Sequence, residues 1–377
     1  MLEGFSKKSK VAFIFPALWH GGVEKVTINL IRGLLEKGVA VDLVLGSSEG
    51  ELTNSVPKGA NIVDLEVPKR LRLVRSLRGL FVYFRKNNPE SVVIYWCGLE
   101  FLVIMCAWVA YIGHKMPRFI YVIHNVSKVL DELPFIKRLF SFPFTWLTLR
   151  TVDAVVGVSK GVADDFSKRF SFPFRRTNII YNPVVFPEIE QLAKEPVDHL
   201  FFTPGSPPVI LGAGRLTLQK DFATLIRAFA LLRRKRFANL VIFGEGKERP
   251  NLEQLIEQLN IKDYVWMPGF VENPYKYMSK ASVFVLSSIY EGLPTVLVEA
   301  LALGVPVVSS DCKSGPREIL EDGKYGSIVP IGNPEALAEA IERVLDDPPP
   351  SSLLKKAASR FSIEKVTKSY MRVLFGE

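Results

Sequence analysis

Two glutamates, Glu291 and Glu299, stand with seven residues between them in SSIYEGLPTVLVEALALGVPVVSSD. The apolar spacing predicts a strand that ends before Glu291, then a loop, then a helix that starts at Pro294 and stops before Gly304. A helix start offers unpaired N–H groups to an anion, and carboxylates accept hydrogen bonds from hydroxyls. The pattern therefore predicts a diphosphate site flanked by hydroxyl-binding carboxylates; the alternative is a charged helix start and a surface glutamate. The main chain facing the anion would be that of Leu293, Pro294 and Thr295.

Two cations, Arg215 and Lys220, follow a predicted strand and Gly214 in GAGRLTLQKDF. Lys220 precedes a helix predicted over 222–232, where a positive charge opposes the helix dipole by about 0.3–1 kcal/mol unless an anion is bound. The guanidinium of Arg215 is a forked donor that fits phosphate oxygens. We therefore expect the two cations to balance a diphosphate without a metal ion; the alternative is a solvated loop with incidental charges.

Three weaker signals lie at the ends of other predicted strands. Gly21 and Gly22 form the first turn from strand to helix, where small residues let the backbone approach a ligand. Gly244 and Gly246 end a strand in the same way, although paired glycines also serve ordinary tight turns. His124 ends the strand FIYVIH, and we expect it to orient a hydroxyl or a leaving group; the alternative is a structural histidine.

The sequence lacks the motifs of several other chemistries. It has no G-x-x-x-x-G-K-[ST] phosphate loop, no H-E-x-x-H zinc pair, no H-R-D or D-F-G kinase motif and no D-x-D. We therefore expect no metal site and no resident cofactor.

Length and composition predict a folded chain of two or three domains. The 377 residues are 48% hydrophobic and 23% charged, so extended disorder is not expected. Three cysteines without a C-x-x-C pair are too few for a disulfide framework and favour a reducing compartment. The N-terminus lacks a cleavable secretory pattern, and the longest uncharged apolar run, 101–113, is shorter than a membrane span.

Strand and helix patterns alternate along both halves of the chain. VAFIFPAL, a helix over 23–36 and VDLVLG predict a β-α-β unit, and the alternation restarts after a proline-rich stretch. This arrangement predicts two doubly wound parallel sheets, with ligands bound in a cleft beyond the strand ends. The predicted organisation is a domain over 1–185, a linker over 186–208, a domain over 209–350 and a C-terminal helical segment over 351–377 that is expected to cross back and pack on both halves. Further strands are predicted at 92–96, 119–124, 154–159, 178–182, 209–215, 239–246, 264–270, 282–288, 306–311 and 326–330.

Basic residues concentrate in the first half of the chain. The net charge is +9, and residues 1–190 contain 25 Lys and Arg against 17 Asp and Glu. The segment 68–88 carries no acidic residue and interleaves its cations with apolar residues, which predicts a surface that lies on anionic lipid. The alternative is a packed helix with one solvated basic face, and the aromatic stretch 133–147 is a second candidate. The cations of the first segment are Lys69, Arg70, Arg72, Arg75, Arg78, Arg85 and Lys86.

These motifs together resemble the retaining glycosyltransferases of family 4, which have the GT-B architecture of two Rossmann-like domains. The resemblance rests on EGLPTVLVEA over 291–300, which matches the E-x7-E signature of the family, on GRLTLQK over 214–220 and on GGVE over 21–24. The order and spacing of the three fit the family along nearly the whole chain. The resemblance implies an α/β fold in which the second domain holds most of a nucleotide-sugar donor and the first holds the acceptor.

The resemblance also implies a role for each motif residue. The residues implied to bind the donor are Glu291 and His124 for the sugar, Glu299 for the ribose, Arg215 and Lys220 for the diphosphate, Gly22 for the phosphates, and Gly244–Gly246 with 265–270, including Phe270, for the base and ribose.

The implied activity is the metal-independent transfer, with retention, of a hexose or N-acetylhexosamine from a UDP-sugar to a polyprenyl-diphosphate-linked saccharide. The implied location is cytoplasmic, peripheral on the inner face of the membrane. A sugar-nucleotide epimerase of the same architecture and a non-catalytic nucleotide-sugar-binding subunit stay open as alternatives. A nucleic-acid-binding protein would explain the net charge, but the sequence contains no recognised RNA or DNA module.

Overall fold

A computed structural model describes residues 9–19, 21–66, 72–95, 100–124, 135–171 and 177–376, with the side chains of 72–75 and 135–142 outside this description. The chain divides into two compact units: unit one comprises 1–183 and 363–377, and unit two comprises 184–362. Each unit is built on a parallel sheet whose strands are joined by helical crossovers. The α/β class with two Rossmann-like sheets, as predicted from the alternation, is confirmed.

The sheet of unit one has the strand order β3-β2-β1-β4-β5-β6-β7, and its neighbouring strands are parallel. Most of its strands are buried, as expected for a parallel sheet covered on both faces. The exceptions are the two edge strands: β7 is partly exposed, and β3, which the sequence patterns did not indicate, is mostly exposed. The strands are β1 (Lys10–Phe15), β2 (Ala40–Leu45), β3 (Asn61–Asp64), β4 (Ser91–Tyr95), β5 (Arg118–Ile123), β6 (Ala154–Gly157) and β7 (Thr177–Ile179).

Five helices follow strands of this sheet within the described ranges of unit one. Helices α2 and α3 pack against each other, and α3 packs against α4. They are α1 (Gly22–Glu36), α2 (Arg72–Asn87), α3 (Glu100–Ala110), α4 (Phe135–Thr151) and α5 (Lys160–Phe170).

The sheet of unit two has the order β10-β9-β8-β11-β12-β13, again with parallel neighbours. The strand order reverses direction between β8 and β11, and ligands of such sheets bind beyond the strand ends at this reversal. The strands are β8 (Val209–Ala213), β9 (Asn239–Phe243), β10 (Val265–Gly269), β11 (Val283–Leu286), β12 (Val307–Ser310) and β13 (Ser327–Val329). The helices are α6 (Ile189–Leu192), α7 (Phe222–Arg233), α8 (Arg249–Gln258), α9 (Tyr275–Met278), α10 (Thr295–Ala302), α11 (Pro316–Ile319), α12 (Pro334–Asp346) and α13 (Ser351–Ala358).

The end of the chain returns to unit one. A 3-10 turn over 359–361 follows α13, and the last helix, α14 (Ile363–Phe375), packs against α1. The two helices approach closely, since a Cβ at Gly33 would lie 2.1 Å from Oγ1 of Thr367. The segment predicted as one helical unit over 351–377 is therefore two helices in different units. The stretch 186–208, predicted as a linker, groups with unit two and contains α6.

Candidate functional site

Lys220 and Glu291 form an ion pair beyond the ends of the neighbouring strands β8 and β11. Nζ of Lys220 donates to Oε1 of Glu291 at 2.6 Å, and the two side chains are 17% and 9% exposed. The loops that carry them are also joined through their backbones, because the Ile289 N–H donates to the Gln219 carbonyl at 2.8 Å. The pair thus lies at the reversal of the sheet of unit two, where bound ligands are expected.

The position of Lys220 before α7 does not by itself require a bound anion. Lys220 ends a 3-10 turn, and the next residue, Asp221, caps α7 by accepting a hydrogen bond at Oδ1 from the Thr224 N–H at 3.3 Å. The helix start therefore has its own carboxylate, and the ammonium of Lys220 already has Glu291 as its counter-ion. An ammonium has three donor protons, however, so it can contact a further acceptor.

Glu299 lies on α10 and is held by Tyr275. The Tyr275 hydroxyl donates to Oε1 of Glu299 at 3.4 Å, and burial, with the nearby carboxylate, raises the pKa of Tyr275 well above its usual value. Tyr275 therefore remains a donor at physiological pH. Helix α10 begins at Thr295 with Pro294 as its N-cap, so Pro294 lies just before the helix rather than inside its first turn as predicted.

Three loops of unit two, which follow β8, β9 and β10, run side by side. The Gly214 N–H donates to the Phe243 carbonyl at 2.9 Å, and the Gly244 N–H donates to the Gly269 carbonyl at 2.7 Å. A Cβ at Gly244 would lie 1.9 Å from the Gly214 carbonyl oxygen, and its φ is +130°, so this position requires glycine. Arg215 is exposed on the first of these loops.

Three other predicted site residues of unit two also lie on loops at this edge of the sheet. Gly246 approaches the backbone of Leu216, Phe270 is exposed just after β10, and Leu293 is buried before α10. All of them lie on loops that follow the strands of this sheet.

The predicted residues of unit one, Gly21, Gly22 and His124, follow β1 and β5. Gly21 is the N-cap of α1 without a side-chain cap, and a Cβ at Gly22 would meet no atom of the described residues within 4 Å. The ring of His124 lies 5.5 Å from that of Tyr95, whose hydroxyl accepts from Thr27 of α1 at 2.8 Å.

Burial lowers the pKa of His124 to about 4, so the imidazole is uncharged near neutral pH. Its Nε2 atom is buried and has no hydrogen-bond partner within the described ranges. An uncharged imidazole with an unused nitrogen is suited to a hydrogen bond with a bound hydroxyl.

The sequence patterns missed the side chains that hold the two glutamates. Ser288 donates to Oε1 of Glu291 at 2.7 Å, and Ser287 donates to the Lys220 carbonyl at 2.8 Å. A signal existed for the serines, because two adjacent hydroxyls end a buried apolar strand just before Glu291. Tyr275 has no such signal, since it lies 24 residues from Glu299 on a separate short helix.

Clusters of metal-ligating type are absent from the part of the chain that the structure describes: it contains no group of three His, Cys, Asp or Glu side chains that could hold a metal ion. Cys97 and residues 68–71 of the basic segment lie outside the described ranges, as do the side chains of Arg72 and Arg75.

Comparison with known proteins places both units in one family. The model of "Glycosyltransferase Family 4" matches residues 20–185, and that of "Glycosyl transferases group 1" matches residues 200–361. Glu291 and Lys220 fall within the second match and Gly21 within the first.

Named glycosyltransferases are among the relatives of this chain. A Campylobacter jejuni protein named as an N-acetylgalactosamine-N,N'-diacetylbacillosaminyl-diphospho-undecaprenol 4-alpha-N-acetylgalactosaminyltransferase is 35% identical over 228 residues, which is 59% of this chain and only 60% of that relative's length. The lipopolysaccharide core biosynthesis glycosyltransferase LpsE of Rhizobium meliloti is 28% identical over 94% of this chain and 96% of its own.

A solved structure shares the whole fold. HepE of Anabaena, determined in complex with UDP-glucose, aligns with 98% of this chain and 100% of its own at a TM-score of 0.78 and 17% identity. At this identity the likeness concerns the fold alone.

Proposed function

Because the chain belongs to the family 4 glycosyltransferases and has the GT-B fold, we propose that it transfers a hexose or N-acetylhexosamine from a UDP-sugar to a polyprenyl-diphosphate-linked saccharide, with retention and without a metal ion. The observation that carries the proposal is the Lys220–Glu291 pair at the sheet reversal of unit two. The Campylobacter relative, named for a diphospho-undecaprenol acceptor, supports the acceptor class. The UDP-glucose complex of HepE supports the donor class.

In the proposed reaction, the bond between the anomeric carbon and the diphosphate oxygen breaks, and the acceptor oxygen bonds to the same face of the sugar. The acceptor proton passes to the departing phosphate oxygen. Lys220 and Arg215 stabilise the negative charge that grows on that oxygen, and this effect is larger in the transition state than in the ground state. Glu291 and the uncharged His124 hold sugar hydroxyls, and Glu299 holds the ribose; no carboxylate attacks the sugar.

A transfer assay tests this proposal. The full chain is incubated with UDP-, GDP- and ADP-sugars labelled in the sugar, together with a polyprenyl-diphosphate-linked saccharide, and label is measured in the lipid fraction. We expect label in the lipid with a UDP-sugar, and an α-linkage from an α-linked donor. Label that stays in the nucleotide pool as an epimer would identify an epimerase instead, and binding without any product would identify a non-catalytic subunit.

Gly244→Ala is expected to raise the Kd for UDP about 10-fold or more, because the new Cβ would force the adjacent loops of unit two apart. The control is Gly332→Ala. Gly332 also has a positive φ, +67°, but a Cβ there would meet nothing within 4 Å, so it introduces backbone strain without a clash. Calorimetry of UDP binding and thermal unfolding of both variants would check this. Equal Kd values for the two variants would contradict the expectation that close approach of Gly244 to the Gly214 carbonyl is needed for UDP binding.

Membrane docking through unit one is part of the same proposal, although no helix within the described ranges meets the length and hydropathy of a membrane span. Arg78 and Lys86 are exposed on α2, next to the exposed Phe81 and Val82. The neighbouring helices add further exposed apolar side chains, and these are Trp108, Val109, Ile112, Phe144, Trp146 and Leu147. Cations beside exposed aromatic and aliphatic groups match the chemistry of an anionic lipid surface.

Reversing two of these charges, Arg78→Glu with Lys86→Glu, is expected to lower partitioning onto phosphatidylglycerol vesicles about 30-fold or more, at about 1 kcal/mol per cation removed. Flotation measures the bound fraction. The matched control reverses Lys356 and Lys368, which are exposed on α13 and α14 and give the same change in net charge. Similar partitioning for the two double variants would contradict docking through this face.

A further inference from the structure

Two adjacent serines beyond β11 contact both members of the Lys220–Glu291 pair. Ser288 is fully buried, and its hydroxyl donates to Oε1 of Glu291 at 2.7 Å. The hydroxyl of Ser287 donates to the Lys220 carbonyl at 2.8 Å. The backbone of Ser288 is itself fixed, because Ser310 of the neighbouring strand β12 donates to the Ser288 carbonyl. Hydrogen bonds from residues at the ends of β11 and β12 therefore support the ion pair.

These contacts make the two oxygens of Glu291 unequal. Oε1 accepts from both Lys220 and Ser288, which uses the two lone pairs that a carboxylate oxygen offers. Oε2 has no hydrogen-bond partner among the residues that the structure describes. A hydroxyl that meets this carboxylate must therefore bind at Oε2, provided that the side chain cannot rotate about its last bond.

We propose that Ser288 is a positioning residue that locks the rotation of the Glu291 carboxylate, so that Oε2 alone faces the donor sugar and reads the configuration of one ring hydroxyl. This inference rests on the proposed function. A hydroxyl aligned with one fixed acceptor is distinguished from its epimer, because the epimer leaves that acceptor unpaired. Without Ser288, the Glu291 carboxylate can rotate, so that either oxygen can face Lys220 or the sugar. Selectivity between the donor sugar and its epimer then decreases.

The rival explanation is that the loop backbone alone positions Glu291. Gln219 donates through its side chain to the Tyr290 carbonyl at 2.9 Å, and the Ile289 N–H donates to the Gln219 carbonyl at 2.8 Å. Under this explanation, removing the Ser288 hydroxyl would leave selectivity unchanged.

The experiment compares Ser288→Ala with Ser309→Ala. Ser309 is equally buried on β12, but among the described residues its hydroxyl donates to the adjacent Ser310 carbonyl alone, so the control deletes the same atom away from the ion pair. For each variant and the wild type, one measures the Kd of UDP, and the kcat and KM for the best UDP-sugar and for each of its ring epimers.

We expect Ser288→Ala to lower kcat/KM for the best donor about 10-fold, to lower the preference over the most affected epimer at least 5-fold, and to leave the Kd of UDP within about 2-fold. Ser309→Ala should leave all three unchanged. Two results would overturn the inference without affecting the proposed function, provided that the wild type transfers sugar. One is an unchanged epimer preference in Ser288→Ala, and the other is a loss of UDP affinity as large as the loss of UDP-sugar affinity. A wild type that binds no nucleotide-sugar would overturn the proposed function, and this inference with it.

Discussion

Lys220→Met is expected to lower kcat for sugar transfer about 100- to 1,000-fold, the usual loss when one preorganised group that stabilises a leaving anion is removed. The ammonium contacts Glu291 at 2.6 Å and is only 17% exposed, so water cannot easily replace it. Because negative charge on the diphosphate is greatest as the bond to the sugar breaks, kcat should fall more than donor affinity, for which a loss of about 10-fold is expected. Steady-state kinetics at saturating donor measure kcat.

The matched control for this variant is Lys235→Met. Lys235 also contacts a glutamate of unit two, Glu342, at 2.9 Å, but its side chain is 61% exposed. Such exposed pairs contribute little, so kcat should change less than about 2-fold. Lys220→Arg, which keeps the charge, should retain part of the activity. A kcat for Lys220→Met within about 3-fold of the wild type, in a variant that unfolds at the wild-type temperature, would contradict the role of this lysine.

Glu291→Gln is expected to lower kcat/KM for the donor about 100-fold while leaving the Kd of UDP nearly unchanged. The substitution keeps the shape of the side chain but removes the charge that Lys220 and Ser288 both contact. Hydrogen bonds to a charged acceptor are the stronger ones, so the sugar loses more than the nucleotide. Calorimetry with UDP and with the UDP-sugar, beside steady-state kinetics, separates the two effects.

The control here is Glu342→Gln, which removes the carboxylate of the exposed pair with Lys235. The double variant Lys220→Met with Glu291→Gln should be less impaired than the product of the single effects, because contacting residues that act together are not additive. Equal losses of UDP and UDP-sugar affinity in Glu291→Gln would contradict the assignment of this carboxylate to the sugar.

The alternation of strand and helix patterns predicted both sheets because their strands are short, buried and β-branched. Strand β3 escaped this reasoning, since it has only four residues, is mostly exposed and is fixed by pairing with β2. The break between α13 and α14 escaped it as well. Both halves of 351–377 have helical periodicity, and the turn that sends α14 back to α1 depends on packing around Gly33, far away in sequence.

The candidate site was predictable to the extent that its residues share loops with recognisable motifs. The spacing identified Lys220 and Glu291 but not their contact, because they are 71 residues apart and meet only when β8 lies beside β11. The cap at Asp221 and the support from Ser288 are contacts over only three residues, so the local sequence contained them, but neither belongs to the motifs that were recognised. Local patterns thus indicate which residues could form a site, while the strand order determines which distant residues come into contact.

The most direct test of the central claim is calorimetric titration of the full chain with UDP-, GDP- and ADP-sugars, repeated on Lys220→Met. We expect saturable binding of a UDP-sugar to the wild type and a Kd at least about 10-fold higher for the variant. Absence of heat with every nucleotide-sugar, or an identical Kd for wild type and variant, would contradict the claim that this ion pair holds an activated sugar.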